Sequence, residues 1–181
     1  MKKVLTLATI VVAFVACKQS SPVTEENKKQ METFEADWKT TGEELVNWQS
    51  ELDATTAEIK TMSDTAMNSI AGVEGMDSSV EVCKSHVAET EKIKTTYTDA
   101  LNSWNNDTKA YQDWKATLEK GEVKAEDVTT AINDFTTKLG DYKANLETWK
   151  TSLENLKGAC KAHCESIDNA KKDAKPADKK M

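Results

Sequence analysis

The sequence predicts an all-α protein, an elongated antiparallel up-down-up three-helix bundle of coiled-coil character. Apolar residues recur at heptad spacing through three long segments. Gly and Pro are few, and Pro22 and Pro176 both lie near the ends, so no proline interrupts a helix between them. The two breaks, 71–79 with Gly72 and Gly75 and 119–127 with Gly121, are short. Short connections between long helices make sequential neighbours antiparallel.

The first helix is expected over 24–70. Ser21 ahead of Pro22, or Thr24, supplies its cap. Met31, Trp38, Leu45, Leu52, Ile59 and Ala66 fall at heptad position a, and Phe34, Thr41, Trp48, Thr55, Met62 and Ser69 at position d. Ser78 followed by Glu81 has capping-box spacing and places the start of the second helix at 79. That helix runs to 119, with Cys83, Thr90, Tyr97, Trp104, Tyr111 and Leu118 at a and His86, Ile93, Ala100, Asp107 and Trp114 at d. The third is expected over 124–170. It carries Ala125, Ile132, Leu139, Leu146, Leu153, Cys160 and Ile167 at a, and Val128, Phe135, Tyr142, Trp149, Leu156 and His163 at d. Each helix would be roughly 60–65 Å long at about 1.5 Å per residue. The composition after Ile167 turns to Lys, Asp and Ala, so 171–181 reads as a disordered Lys-rich tail.

If the first turn centres near Met76, Trp48 faces Trp104, Trp38 faces Trp114 and Phe34 faces Leu118. If the second centres near Val123, Trp104 meets Tyr142, Tyr111 meets Phe135 and Trp114 meets Ile132. Aromatic residues at this spacing are core first, because each buries a large area. Asp107 at a d position reads as a polar core residue that specifies register or reaches solvent at the helix edge.

The 31 acidic residues outnumber the 24 basic ones, every one of which is Lys, for a net charge of −7. Without Arg there is no planar fork for phosphate. An acidic, Arg-free chain lacks the footprint of a nucleic-acid binder, so no nucleic-acid partner is expected. Nor is there a Gly-rich phosphate loop, a hydrolase elbow or a Ser/His/Asp arrangement, so the chain is read as non-enzymatic.

At the N-terminus, Lys2 and Lys3 precede Val4 to Val15, which is apolar apart from Thr6 and Thr9. This has the layout of a secretory signal over 1–16, too short to span a bilayer. Phe14-Val15-Ala16-Cys17 resembles the lipobox of bacterial lipoproteins, with Phe14 where Leu is usual. The resemblance implies acylation of Cys17, a lipidated tether over 17–23 and a membrane partner reached through the lipid. Lys18 stands where that family carries Asp for inner-membrane retention, which tilts the expectation toward the outer membrane of the cell envelope. With the Lys/Glu/Thr-rich helical body, the chain resembles small helical lipoproteins of Bacteroidota-type bacteria, some of them named viral A-type inclusion protein. Such a protein is expected to act as an interaction or scaffold module, meeting protein partners through its helical faces.

With Cys17 assigned to lipid, Cys83, Cys160 and Cys164 remain, an odd number. In an exported chain a Cys83–Cys160 or Cys83–Cys164 disulfide would staple the second helix to the third, worth on the order of 4–5 kcal/mol in the chain-entropy view. The alternatives are reduced cysteines packed in the core and a metal centre. The chain has two His, each three residues after a Cys: Cys83 with His86, and Cys160 with His163. Placed on facing helices, with Cys83 opposite His163, His86 opposite Cys160 and the small Ser69 and Ala66 beside them, these four would suit tetrahedral zinc. Cys160 and Cys164 would also tolerate copper as Cu(I). Otherwise no cofactor is expected.

Overall fold

The computed structural model describes residues 23–173, and they form three helices: α1 (Glu25–Ser69), α2 (Asp77–Glu119) and α3 (Ala125–Asp173). All three helix pairs are in contact, which makes the chain an all-α three-helix bundle. The expected signal segment, Cys17 and most of the expected tether lie outside the described residues, as do residues 174–181. At about 1.5 Å per residue the helices are roughly 65–75 Å long. Among the described residues, no helix is long and apolar enough to cross a membrane.

Thr24 caps α1: its hydroxyl accepts a hydrogen bond from the Asn27 amide at 3.1 Å, while Glu25 and Glu26 favour the positive end of the helix. The capping box expected at Ser78 does not form. α2 instead starts at Asp77 after Met76, with no side-chain cap, and Met76 O accepts from the Ser79 and Val80 amides. Gly72 and Gly75, at φ of 78° and 82°, turn the chain through the left-handed region and so allow this earlier start. α3 continues to Asp173, three residues into the segment read as tail.

The α1–α2 register also differs from expectation. Trp104 does not meet Trp48. It stacks on Trp38, with ring centroids 3.9 Å apart and planes 15° from parallel. Phe34 packs on Tyr111 at 4.8 Å, not on Leu118, and Trp48 packs edge-on against Tyr97 at 5.2 Å. This is a slip of about one heptad from the expected pairing. Gly42 explains why this register wins. A Cβ at Gly42 would stand 3.0 Å from Trp104 Cζ2, so the missing side chain is the slot that admits the indole. The α2–α3 register agrees with expectation: Trp104 contacts Tyr142 at 5.0 Å and Tyr111 contacts Phe135 at 5.1 Å.

The a stripe of α2 is buried throughout, from Cys83 to Leu118. The stripe of α1 is not a continuous heptad. Trp38, Leu45, Leu52, Ile59 and Ala66 are buried as expected, but below Leu52 the second row passes from Thr55, Met62 and Ser69 to Thr56, Ser63 and Ile70. Two steps of four residues in succession, Trp48–Leu52–Thr56, make a stutter. A straight helix at 3.6 residues per turn drifts out of a 3.5-residue repeat, and the stutter restores contact with the seam.

Polar groups at the helix edges link neighbours. Tyr97 OH donates to Leu45 O at 2.6 Å, and Trp38 Nε1 donates to Thr108 Oγ1 at 3.0 Å. Asp107 accepts from Tyr142 OH at 2.8 Å and from Lys138, so it specifies α2–α3 register from the edge of the core. Glu35 accepts from Tyr111 OH at 2.8 Å and Lys115 Nζ at 2.6 Å. The Asp53–Lys94, Asp37–Lys143 and Glu58–Lys157 pairs also cross between helices, but they are solvated and each contributes about 0–1 kcal/mol.

The slot at Gly42 makes a sign prediction. Gly→Ala in a helix interior normally stabilises by roughly 0.5–1 kcal/mol, which is the outcome expected for Gly140→Ala and Gly158→Ala, where the new methyl meets nothing within 4 Å. Gly42→Ala is expected to destabilise instead, by about 1–3 kcal/mol, as overpacking does. Urea unfolding followed by circular dichroism checks the contrast, and a Gly42→Ala chain as stable as the other two would remove the slot from the account.

Candidate functional site

All the residues singled out in the described chain lie at one end of the bundle, beside the 70–76 turn. The first turns of α2 supply Cys83 and His86, and the last turns of α3 supply Cys160, His163 and Cys164. α1 faces them with Ile59, Met62, Ser63 and Ala66. The stutter decides which of these matters: it turns the small Ser63 inward, fully buried, with Oγ 3.5 Å from Cys160 Sγ. Ser63 was not legible as a site residue, because its undistorted heptad position is off the seam.

Cys83 and Cys160 are 0 % exposed, and Cys164 is half-buried. All three are thiols in this structure. Cys160 Sγ points at Ile59 O at 3.9 Å, and Cys164 Sγ donates to Met62 O at 3.6 Å. Burial raises the pKa of the Cys83 thiol, and Cys160 adds to the shift. Burial likewise pushes Cys164 up to about 11, helped by Cys160 and then by Cys83 and Asp168. Each thiol resists ionising because it is desolvated and because its neighbours would carry the same charge.

The histidines pair with each other. The His86 and His163 rings are 6.0 Å apart and nearly perpendicular at 78°. His163 Nε2 lies 3.2 Å from Ser79 O, a contact that requires the tautomer with hydrogen on Nε2. His86 Nδ1 is buried with no hydrogen-bond partner. Burial lowers the pKa of His86, the neighbouring His163 lowers it further, and Glu89 opposes them.

The two imidazoles lie beside each other, and Ser63 takes the place beside Cys160 expected for Ser69. Among the described residues no group of three or more His, Cys, Asp or Glu side chains is arranged to hold a metal ion. Cys83, His86, Cys160 and His163 share one end of the bundle but do not converge as a single ligand set. Cys164 packs against both apolar clusters at this end, the one that contains Cys160 and the one that contains Cys83.

Elsewhere, an open groove of about 420 Å³ runs between α1 and α3, lined by Trp48, Glu51, Thr55, Lys150, Glu154 and Lys157 among others. It mixes both charges without a nucleophile or a histidine. No protein-family model, curated protein or solved structure matches the chain, so its function has to be read from its own residues.

Two titrations test the site. Native-state labelling of Cys164 with iodoacetamide, followed by mass spectrometry, is expected to rise about tenfold per pH unit from 7 to 10 without levelling off, because its thiolate fraction keeps growing until about 11. A plateau near pH 9 would show an ordinary thiol there. For His86 the folded pKa lies below the unfolded one, so its contribution to stability is complete above about 6.5 and is lost as pH falls through the lowered folded value. The thermal midpoint should therefore drop between pH 7 and 5, and His86→Gln should flatten that slope.

Proposed function

We propose that this chain is a lipid-anchored cell-envelope protein whose helical body serves as a non-enzymatic interaction or scaffold module, of the kind it resembles among small bacterial helical lipoproteins. Phe14-Val15-Ala16-Cys17 carries the reading. Acylation at Cys17 would join membrane and rod through only a few polar residues, because Thr24 starts α1 at once. Two or more acyl chains make such an attachment stable. Lys18, in place of the retention Asp, favours the outer membrane.

The course of the chain supports this role by giving the rod a polarity. Val23 and Met31 pack with Leu118, Val123 and Val128, so the tethered end coincides with the second turn. Ile70, Cys83 and Ile167 pack together at the opposite end. The first turn and the thiol site would thus stand about 65 Å from the anchored end, at 1.5 Å per residue of α1. Val73 and Val82, both exposed, lie at that far end as well. The sides of the rod are mostly Lys, Glu, Asp and Thr, a solvated face that suits protein contacts along its length.

Cys17→Ser is expected to leave a longer precursor that takes up no labelled palmitate and leaves the membrane fraction. Normal membrane anchorage of that variant would overturn the reading. Cross-linking of the anchored chain in intact envelopes should recover discrete partners, and a body that stays uncross-linked would remove the scaffold role while leaving the anchor.

A further inference from the structure

We infer that His86 and His163 form an acid-sensitive latch at the end of the rod beside the first turn. A proton taken up by His86 releases the start of α2 from the end of α3, and the aromatic layers stay closed. The device rests on the fold alone and does not depend on the membrane anchor.

Three observations meet at this pair. The chain has only two His, and their rings lie side by side across α2 and α3, with centroids 6.0 Å apart. Histidine is the side chain whose ordinary pKa falls between about pH 5 and 8, and the carboxylates titrate lower. Acidification over that range therefore acts on one end of the bundle. His86 is 8 % exposed, and its Nδ1 is enclosed without a hydrogen-bond partner. A neutral imidazole can leave that nitrogen as a bare lone pair, but an imidazolium carries N–H on both nitrogens. The proton would make it a buried, charged donor with no acceptor, which a fold relieves by opening to water. His163 differs. Its Nε2–H donates to Ser79 O, 3.2 Å away in the first turn of α2, and that hydrogen is present in both protonation states. His163 is thus the fixed half of the latch and His86 the sensitive half.

The groups around the pair offer a protonated His86 little relief. On α2, Glu89 favours the proton, but it is exposed and does not bond Nδ1, and Glu81 and Lys84 pair with each other. On α3, His163 opposes a second positive charge, and the exposed Lys161 and Glu165 flank it in sequence with opposite signs. On α1, the Ser63 hydroxyl is engaged with Cys160, and Lys60 and Asp64 bond each other at 2.6 Å. Burial and His163 outweigh Glu89, so protonation of His86 and closure of the end compete. Opening would uncover Cys83 and Ile167, which pack together with Ile70 at this end. The middle of the rod holds no such group, since Trp38, Trp104 and Tyr142 close it by ring contacts that do not titrate in this range.

Hydrogen–deuterium exchange at pH 7 and pH 5, corrected for intrinsic rates, tests the latch on the reduced full-length chain carrying Cys17→Ser. The amides of 79–90 and 159–167 are expected to exchange on the order of threefold faster or more at pH 5, while those of 97–111 keep their protection. His86→Leu, which places an apolar side chain there and takes no proton, should remove the acid response. Equal loss of protection along the whole rod, unchanged protection at pH 5, or an undiminished acid response in His86→Leu would each overturn the latch. NMR titration of the His86 ring in the chain with its interior intact supplies a second measurement. Protonation of that ring should run in step with the faster exchange, and protonation without loss of protection would sink the proposal. These two readouts decide the matter even where His86→Leu fails to fold. Failure of the membrane-anchorage experiment would leave this result untouched.

Discussion

The stack of Trp38 on Trp104 across the slot at Gly42 is the contact on which the rest of the bundle depends. An indole pressed against a bare helix backbone excludes more water than one wedged between side chains, and here a second indole covers its other face. Once this pair is made, the positions of the other large residues in α1 and α2 follow. Phe34 reaches Tyr111, Trp48 reaches Tyr97, and Tyr97 OH finds the carbonyl of Leu45. A slip by a heptad in either direction would put a side chain into the path of Trp104 and leave the Tyr97 hydroxyl buried without its acceptor. Unpaired buried polar groups cost more than the hydrogen bonds they forgo contribute, so the polar links at the edges of the core reject wrong registers.

The thiol end of the rod is a consequence of that register and of the stutter below Leu52. Without the phase change, Met62 would face the cysteines and fill the layer. With it, the small Ser63 is the residue that faces Cys160. At the same end His86 and His163 lie beside each other.

The division of the rod into two ends also bears on what it does. The aromatic layers in the middle and the Leu118–Val128–Ile132 cluster at the second turn are built from well-packed apolar side chains. The thiol end is more polar, with Thr90, Ser63 and His86 buried. A scaffold anchored at its second-turn end would carry its chemically responsive part where it meets the surroundings, with the stiff part as spacer. An interhelical disulfide there would set how firmly the end of α3 is held to α2.

How much could be read in advance depended on the range of the interaction. Helix number, helix limits to within a few residues, the Thr24 cap and the complete buried stripe of α2 were legible, because they follow from periodicity and local hydrogen bonding within each segment. The α2–α3 pairing was legible too, since the second turn is short and well marked by Gly121. The α1–α2 register was not. It turned on Gly42, whose only local signal is a weakened helix. The phase of α1 below Leu52, and with it the place of Ser63 beside Cys160, was equally beyond reach. A heptad pattern records which side of a helix is apolar, but packing against two neighbours decides how far that side rotates and slides. The Phe14-Val15-Ala16-Cys17 run is wholly a property of the sequence, whereas the burial of Cys83, Cys160 and Ser63 at one end of the bundle exists only once three helices are locked together.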